Sequence, residues 1–313
     1  MRVLLACLAL IASSDCSAED HKGHKVILGG RGRLAMLDEA GKITWEKKWG
    51  GIHDIHVLKN GHIMVQQMPN KVVELDPKSG EVVWRYDAAK MNGNDGKKVE
   101  VHAFQPLEDG NLMIAESGRG RIIEVSRDGK LLKEIKLVLD KPHPHMDTRL
   151  ARKLKSGNYL VCHEGDGAVR EYNSDGHLVW EFKVPMFGRK AKGGHGPESF
   201  GNKCFSAVRL KNGNTLIATG NGHSVLEVDH HKKVVWKIEQ NDLPGIRLAW
   251  VTTLEVLPNG NYVIGNCHAG EGQPLLVEVE PKTKKVVWKL DRFEDFGNSV
   301  SNSQILVKQP TLR

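Results

Sequence analysis

The sequence predicts an all-β fold, a six-bladed β-propeller of four-stranded antiparallel blades closed by its own C-terminal strand. Three observations predict it: one four-strand unit recurs along the chain, a further copy is split between the two ends, and a tryptophan returns at one position of the unit. The clearest copy is 54–87, DIHVLKNGHIMVQQMPNKVVELDPKSGEVVWRYD. Apolar residues alternate through Ile55 and Val57, through Ile63 and Val65, through Val72 and Val73 into Leu75, and through Val82 and Trp84. Lys-Asn-Gly at 59–61, Pro-Asn at 69–70 and Asp-Pro-Lys-Ser-Gly at 76–80 punctuate them. Asn and Gly accept positive φ and Pro presets its own, so each junction reads as a tight reversal.

The same frame returns from Phe104, from Ala151, from Ala207 and from Leu254, which makes five complete copies. Residues 25–49 supply strands two to four of a sixth, and SNSQILVK at 301–308 is a first strand with nothing after it. Joining the ends completes a ring. Trp45, Trp84, Trp180, Trp236 and Trp288 share one repeat position, with Lys133 in the third copy, and an aromatic at equivalent points of successive sheets packs between them.

A single propeller over 25–309 therefore accounts for most of the chain, between tails at 19–24 and 310–313. Residues 1–18 differ in kind: one Arg, an apolar run over 3–12, then small residues ending Cys16-Ser17-Ala18, a pattern that predicts a signal peptide cut after Ala18 and an exported chain, periplasmic or secreted. No other stretch approaches 18 apolar residues, so no membrane span is expected. The charges, 45 basic against 38 acidic, leave +7, and no dense basic run or aromatic RNA-binding signature argues for nucleic acid. After cleavage Cys162, Cys204 and Cys267 remain; they read as small buried side chains, with a Cys162–Cys204 disulfide the open alternative.

In a propeller the loops entering the innermost strands share one face with the turns between strands two and three. Those entering loops vary here, from 50–52 to the long 87–101 and 184–203, and variable loops on a rigid scaffold are the usual seat of function. Aligning the copies puts His53, His102, Arg149, Phe205, Thr252 and Ser301 at the start of the innermost strand, and Gly30, Gln67, Glu116, His163, Thr219 and Asn266 at the end of strand two. The loops add His143, His145, Arg189, Lys190, Lys192, His195, Arg247, Trp250 and Arg292. From these, Gln67, Glu116, His143, His145, His195, Arg247, Trp250 and Asn266 are the candidate ligand-binding residues. Imidazoles from separate blades can hold a divalent metal, whose identity is open. One imidazole can act as nucleophile or base beside charge-stabilising arginines. The same groups can simply bind a carboxylate, sulfate or phosphate. They can also converge only in the alignment. His230-His231 falls in a far-side turn, and the glycines of GGRGR at 29–33 and ESGRGRI at 116–122 lack the following helix that an anion cradle needs.

LDPKSGEVVW at 75–84, VEPKTKKVVW at 279–288 and VDHHKKVVW at 228–236 resemble the tryptophan-docking motif of PQQ-like repeat propellers, the quinoprotein superfamily. That resemblance implies a propeller over the mature chain. Quinone dehydrogenases of the superfamily have eight blades, a vicinal cysteine pair and a catalytic Asp; six blades without adjacent cysteines argue against PQQ as cofactor. HDIHVLKNGHIMV at 53–65 with KVVELDPKSGEVVW, and LEVLPNGNYVIGN at 254–266, are also similar to arylsulfotransferase-like six-bladed propellers. The resemblance implies a mouth histidine that takes a sulfuryl group among other His and Arg, and by place in the repeat the matching catalytic positions are His53, His102, Arg149 and His163. The expectation is an exported propeller binding an anionic small molecule or glycan at a His/Arg-rich mouth. Its rivals are a His/Arg-dependent transferase, lyase or hydrolase on sulfated or uronic substrates, and a protein-interaction scaffold using loops 87–101 and 184–203.

Overall fold

The computed structural model describes residues 23–307 and 311–313. The stretch 1–18, read as a signal peptide from the sequence, lies outside the described residues, as do parts of both tails. Six four-stranded antiparallel sheets form the ring. The second blade runs outward from Ile55–Val57 through Ile63–Gln67 and Lys71–Leu75 to Val82–Asp87, the division its alternation and turn residues predict. The first blade takes its innermost strand from the far end of the sequence. Ser303–Ile305 pairs antiparallel with Val26–Gly30, with Val26 opposite Ile305 and Leu28 opposite Ser303. The expected closure by the C-terminal strand is thus observed.

Alternation along each strand sends one set of apolar side chains to each neighbouring blade. Among the described residues, one large apolar cluster therefore fills each blade junction. Ile27, Leu34, Ile55 and Ile63 join blades one and two; Val26, Leu28, Val263 and Leu276 join blades six and one. Burying a side chain of this size is worth roughly 1.5–3 kcal/mol.

The tryptophans clamp the blades at their rim. In each blade the register between the third and fourth strands shifts by one residue beside the repeat position, as between Glu74 and Leu75 where Trp84 pairs with Glu74. Such a bulge twists the outer strand. Nε1–H of Trp45 donates to the Pro77 carbonyl at 2.9 Å, that of Trp84 to Arg127 at 2.6 Å and that of Trp236 to Pro281 at 2.9 Å, each in the next blade. Lys133 makes the same crossing by charge, its ammonium 5.9 Å from the Tyr159 ring centroid. Cys162, Cys204 and Cys267 are buried free thiols.

The central channel is packed rather than open. The buried Asp54 carboxylate takes both Nη atoms of Arg152 across it, at 2.7 and 2.8 Å. Below them Arg313 donates to the carbonyls of Ile55 and Ser303, both at 2.8 Å. Burial alone would raise the Asp54 carboxyl, but Arg152 and then His56 outweigh it and hold it well below the usual carboxylate range. These buried groups fill the middle of the channel and leave its mouth to the loops.

Candidate functional site

The starts of the inner strands converge on that mouth. His53 is set by Gln66, whose buried side-chain carbonyl accepts from the backbone N–H groups of His53 and, at 2.8 Å, Asp54. The Gln66 amide donates in turn to the Val101 carbonyl, tying the second blade to the third. His102 sits in a bulge: Val101 pairs with Glu116 and Ala103 with Ala115, so His102 has no partner across the sheet and its ring is re-aimed. The His102 and His53 ring centroids are 4.9 Å apart, and those of His102 and His145 are 5.0 Å apart. Glu100 lies two residues before His102; its Oε2 is 2.9 Å from His102 Nε2 and 2.7 Å from His145 Nδ1.

Arg149 closes this side. Its Nη1 is 3.0 Å from His102 Nδ1, its Nε meets the Glu164 carboxylate, and its guanidinium carbon is 5.7 Å from the Phe205 ring centroid. Glu164 also pairs with Lys203 at 3.2 Å, and the Lys203 ammonium lies 5.7 Å from the Trp250 ring centroid. Two cations sharing one carboxylate thus flank an aromatic floor of Phe205 and Trp250, with Cys267 packed against it. Trp250 holds φ of 48°, in the left-handed region that bulky residues avoid. Its backbone N–H donates to Nδ1 of buried His223 at 3.0 Å, which helps hold that backbone conformation. His195 and His268 complete the far rim, 4.7 and 5.7 Å from Trp250 by ring centroids.

Burial governs the protonation of these groups. His53 is pushed well below the ordinary imidazole value by burial, then by His102 and Arg149. Burial lowers His102 as well, with Arg149 adding to it and the Glu100 contact opposing. Glu100 is drawn down to about 2, chiefly by its bond to His102. Burial and then the neighbouring His195 take His268 down to about 4. At neutral pH His53, His102 and His268 are therefore uncharged.

Four of the six residues of the first aligned column, His53, His102, Arg149 and Phe205, are in contact, and His145, His195 and Trp250 join them from the loops, whereas the hydroxyls of Ser301 and Thr252 donate to the backbone carbonyls of Ile52 and Val300. The second column is placed otherwise. His163 is buried behind the mouth, Nδ1 2.7 Å from the Asp147 carbonyl and Nε2 3.1 Å from the Tyr172 hydroxyl. Glu116 is fully buried and accepts from Arg121 at 2.7 Å and Asn94 at 2.9 Å. Gln67 is exposed, and its neighbour Gln66 turns inward instead. Asn266 braces a loop, accepting from the Ala249 N–H at 2.7 Å. His143 is exposed and accepts from the His145 N–H at 3.2 Å, and Arg247 pairs with exposed Glu198 at 2.5 Å. Glu100, Gln66, Glu164, Lys203 and His268 escaped the sequence reading. Only Glu100 left a signal there, two residues before His102 and so on the same side of a strand.

A family model described as outer membrane protein assembly factor BamB matches residues 30–290, and the chain belongs to this family of PQQ-like repeat propellers. No curated protein matches it. Among solved structures it is similar to a protein of unknown function from Bacteroides caccae, at 25% identity and a TM-score of 0.72, over 90% of this chain and 98% of that one. It is also similar to a streptogramin B lyase at 12% identity and a TM-score of 0.56, over 87% of this chain and 83% of that one. A catalytically inactive virginiamycin B lyase from Staphylococcus aureus with quinupristin gives 12% identity and 0.55, over 87% and 86%. At that identity the lyases share the fold alone. Among the described residues no helix is long and apolar enough to cross a membrane.

Proposed function

We propose that this is an exported propeller whose mouth binds a small anionic molecule or anionic glycan. The observation that carries the reading is the pairing of Arg149 and Lys203 over the Phe205–Trp250 floor, on the one face where the connecting loops are long. A uronic sugar or aryl ester has the matching form, an apolar face to lie on the rings and a carboxylate or sulfate to draw the cations from Glu164. In thermal melts a ligand at about a hundred times its Kd stabilises by roughly 2.7 kcal/mol, several degrees for a domain of this size. The expected outcome is such a shift with uronic oligosaccharides or aryl sulfates that shrinks in Lys203→Ala. An equal shift in wild type and variant, or none in either, overturns the reading. Export is checked by N-terminal sequencing of the protein recovered outside the cytoplasm, with the first residue expected at Glu19.

The enzymatic reading has one observation of its own. His53 Nδ1 is buried without a hydrogen-bond partner, and burial keeps the ring neutral, the state a general base needs at neutral pH. The lyases of similar fold are a fold-level analogy for such chemistry.

A further inference from the structure

We propose that Glu100, His102 and His145 form a binding site for one divalent first-row cation of the zinc class, with an open coordination position towards His53 and Arg149. The site stands apart from the anion reading, because the cation by itself is the ligand. Their donor atoms all lie within 4.8 Å of one another.

The surroundings of His102 suit a ligating imidazole. Its Nδ1 is 2.9 Å from the Thr148 carbonyl and 3.0 Å from Arg149 Nη1, and its Nε2 is 2.9 Å from Glu100 Oε2. Without a cation, Nε2–H donates to Glu100 and Nδ1 accepts from Arg149. With a cation between Nε2 and Glu100, the hydrogen moves to Nδ1 and is donated to Thr148, the arrangement by which ligating imidazoles are oriented by a backbone carbonyl, and Arg149 keeps its contact with Glu164 instead.

The mechanics also fit. His102 is the fixed donor, fully buried and aimed by its bulge, while Glu100 and His145 are 26% and 48% exposed at their side chains and free to adjust. Around an ion with bonds of about 2.1 Å, tetrahedral ligand atoms stand roughly 3.4 Å apart, so the Glu100 carboxylate moves away from both imidazoles, now at 2.9 and 2.7 Å, while the two imidazole nitrogens, within 4.8 Å of each other, set the width of the site. Two imidazoles and one carboxylate suit zinc and its neighbours rather than calcium or magnesium, which prefer oxygen alone. Three protein ligands leave one position for water or an anion, as open zinc sites do. The partnerless Nδ1 of His53 is the polar group beside it.

The test is calorimetric titration of the chelator-treated protein with Zn²⁺, and with Co²⁺ followed by its d–d absorption. One equivalent is expected to bind, with the intense visible bands of a four-coordinate site. Glu100→Gln and His145→Ala should each weaken binding roughly tenfold or more while circular dichroism stays unchanged. His231→Ala, on the far face, should leave it intact. No binding, affinity unchanged in Glu100→Gln and His145→Ala, or affinity lost instead in His195→Ala would each overturn the site.

Discussion

Two residues facing each other across the channel are costly to separate. Asp54 and Arg152 are both buried and doubly bonded, so removing the guanidinium takes the main counter-charge from a buried carboxylate and leaves it chiefly His56, whose Nε2 is 3.4 Å away. Arg152→Met is expected to destabilise by about 3–5 kcal/mol in urea unfolding, whereas Asp54→Asn with Arg152→Met should recover much of that loss. A double variant no more stable than the single one would contradict the pairing. The same scale explains what the sequence hid. Gln66 and Gln67 are adjacent, and in a strand one step of register exchanges the inner face for the outer. Alignment on the turns put Gln67 in the column, and the structure turns its neighbour Gln66 inward. His53, His102 and Arg149 were legible because each stands at the mouth end of an inner strand, where the repeat sets position, while the direction of the His102 ring comes from a bulge that the pattern does not show.

At the scale of elements, strands were legible and loops were not. Alternation, glycine turns and the tryptophan column repeat in nearly every blade, so each copy corroborates the others. Glu164, Lys203 and His268 lie in or beside connections that share no period with anything else. Their placement depends on close approaches such as Gly220, which holds φ of 55° with the Lys203 carbonyl oxygen 2.0 Å from where a Cβ would stand. Gly220→Ala must displace the 201–205 segment or strain its own backbone. It is expected to cost roughly 1–3 kcal/mol in urea unfolding and to weaken any ligand that Lys203 holds. Unchanged stability would mean that the segment moves freely.

For the whole molecule, the buried imidazoles tie stability to pH. His163, lowered to about 4 by burial and then Arg170, is neutral in the fold and protonated in the unfolded chain below about 6.5. The unfolded state then binds the extra proton, so this contribution is full above pH 6.5 and is lost as pH falls from there towards 4. His268 acts in the same direction, weakened by its partial exposure. Unfolding free energy should drop by at least about 2 kcal/mol between pH 7 and pH 5, and by less in His163→Gln. Equal stability at both values would contradict the neutral, buried state of His163. The strand that closes the ring has a mechanical meaning as well. Val26 and Ile305 face each other at one end of the pairing, so a load pulling them apart meets its bridging hydrogen bonds one after another instead of together. Under tension the circle opens as a zipper does, at the seam where the chain's two ends meet, while the other five blades, each made from one continuous stretch, stay closed.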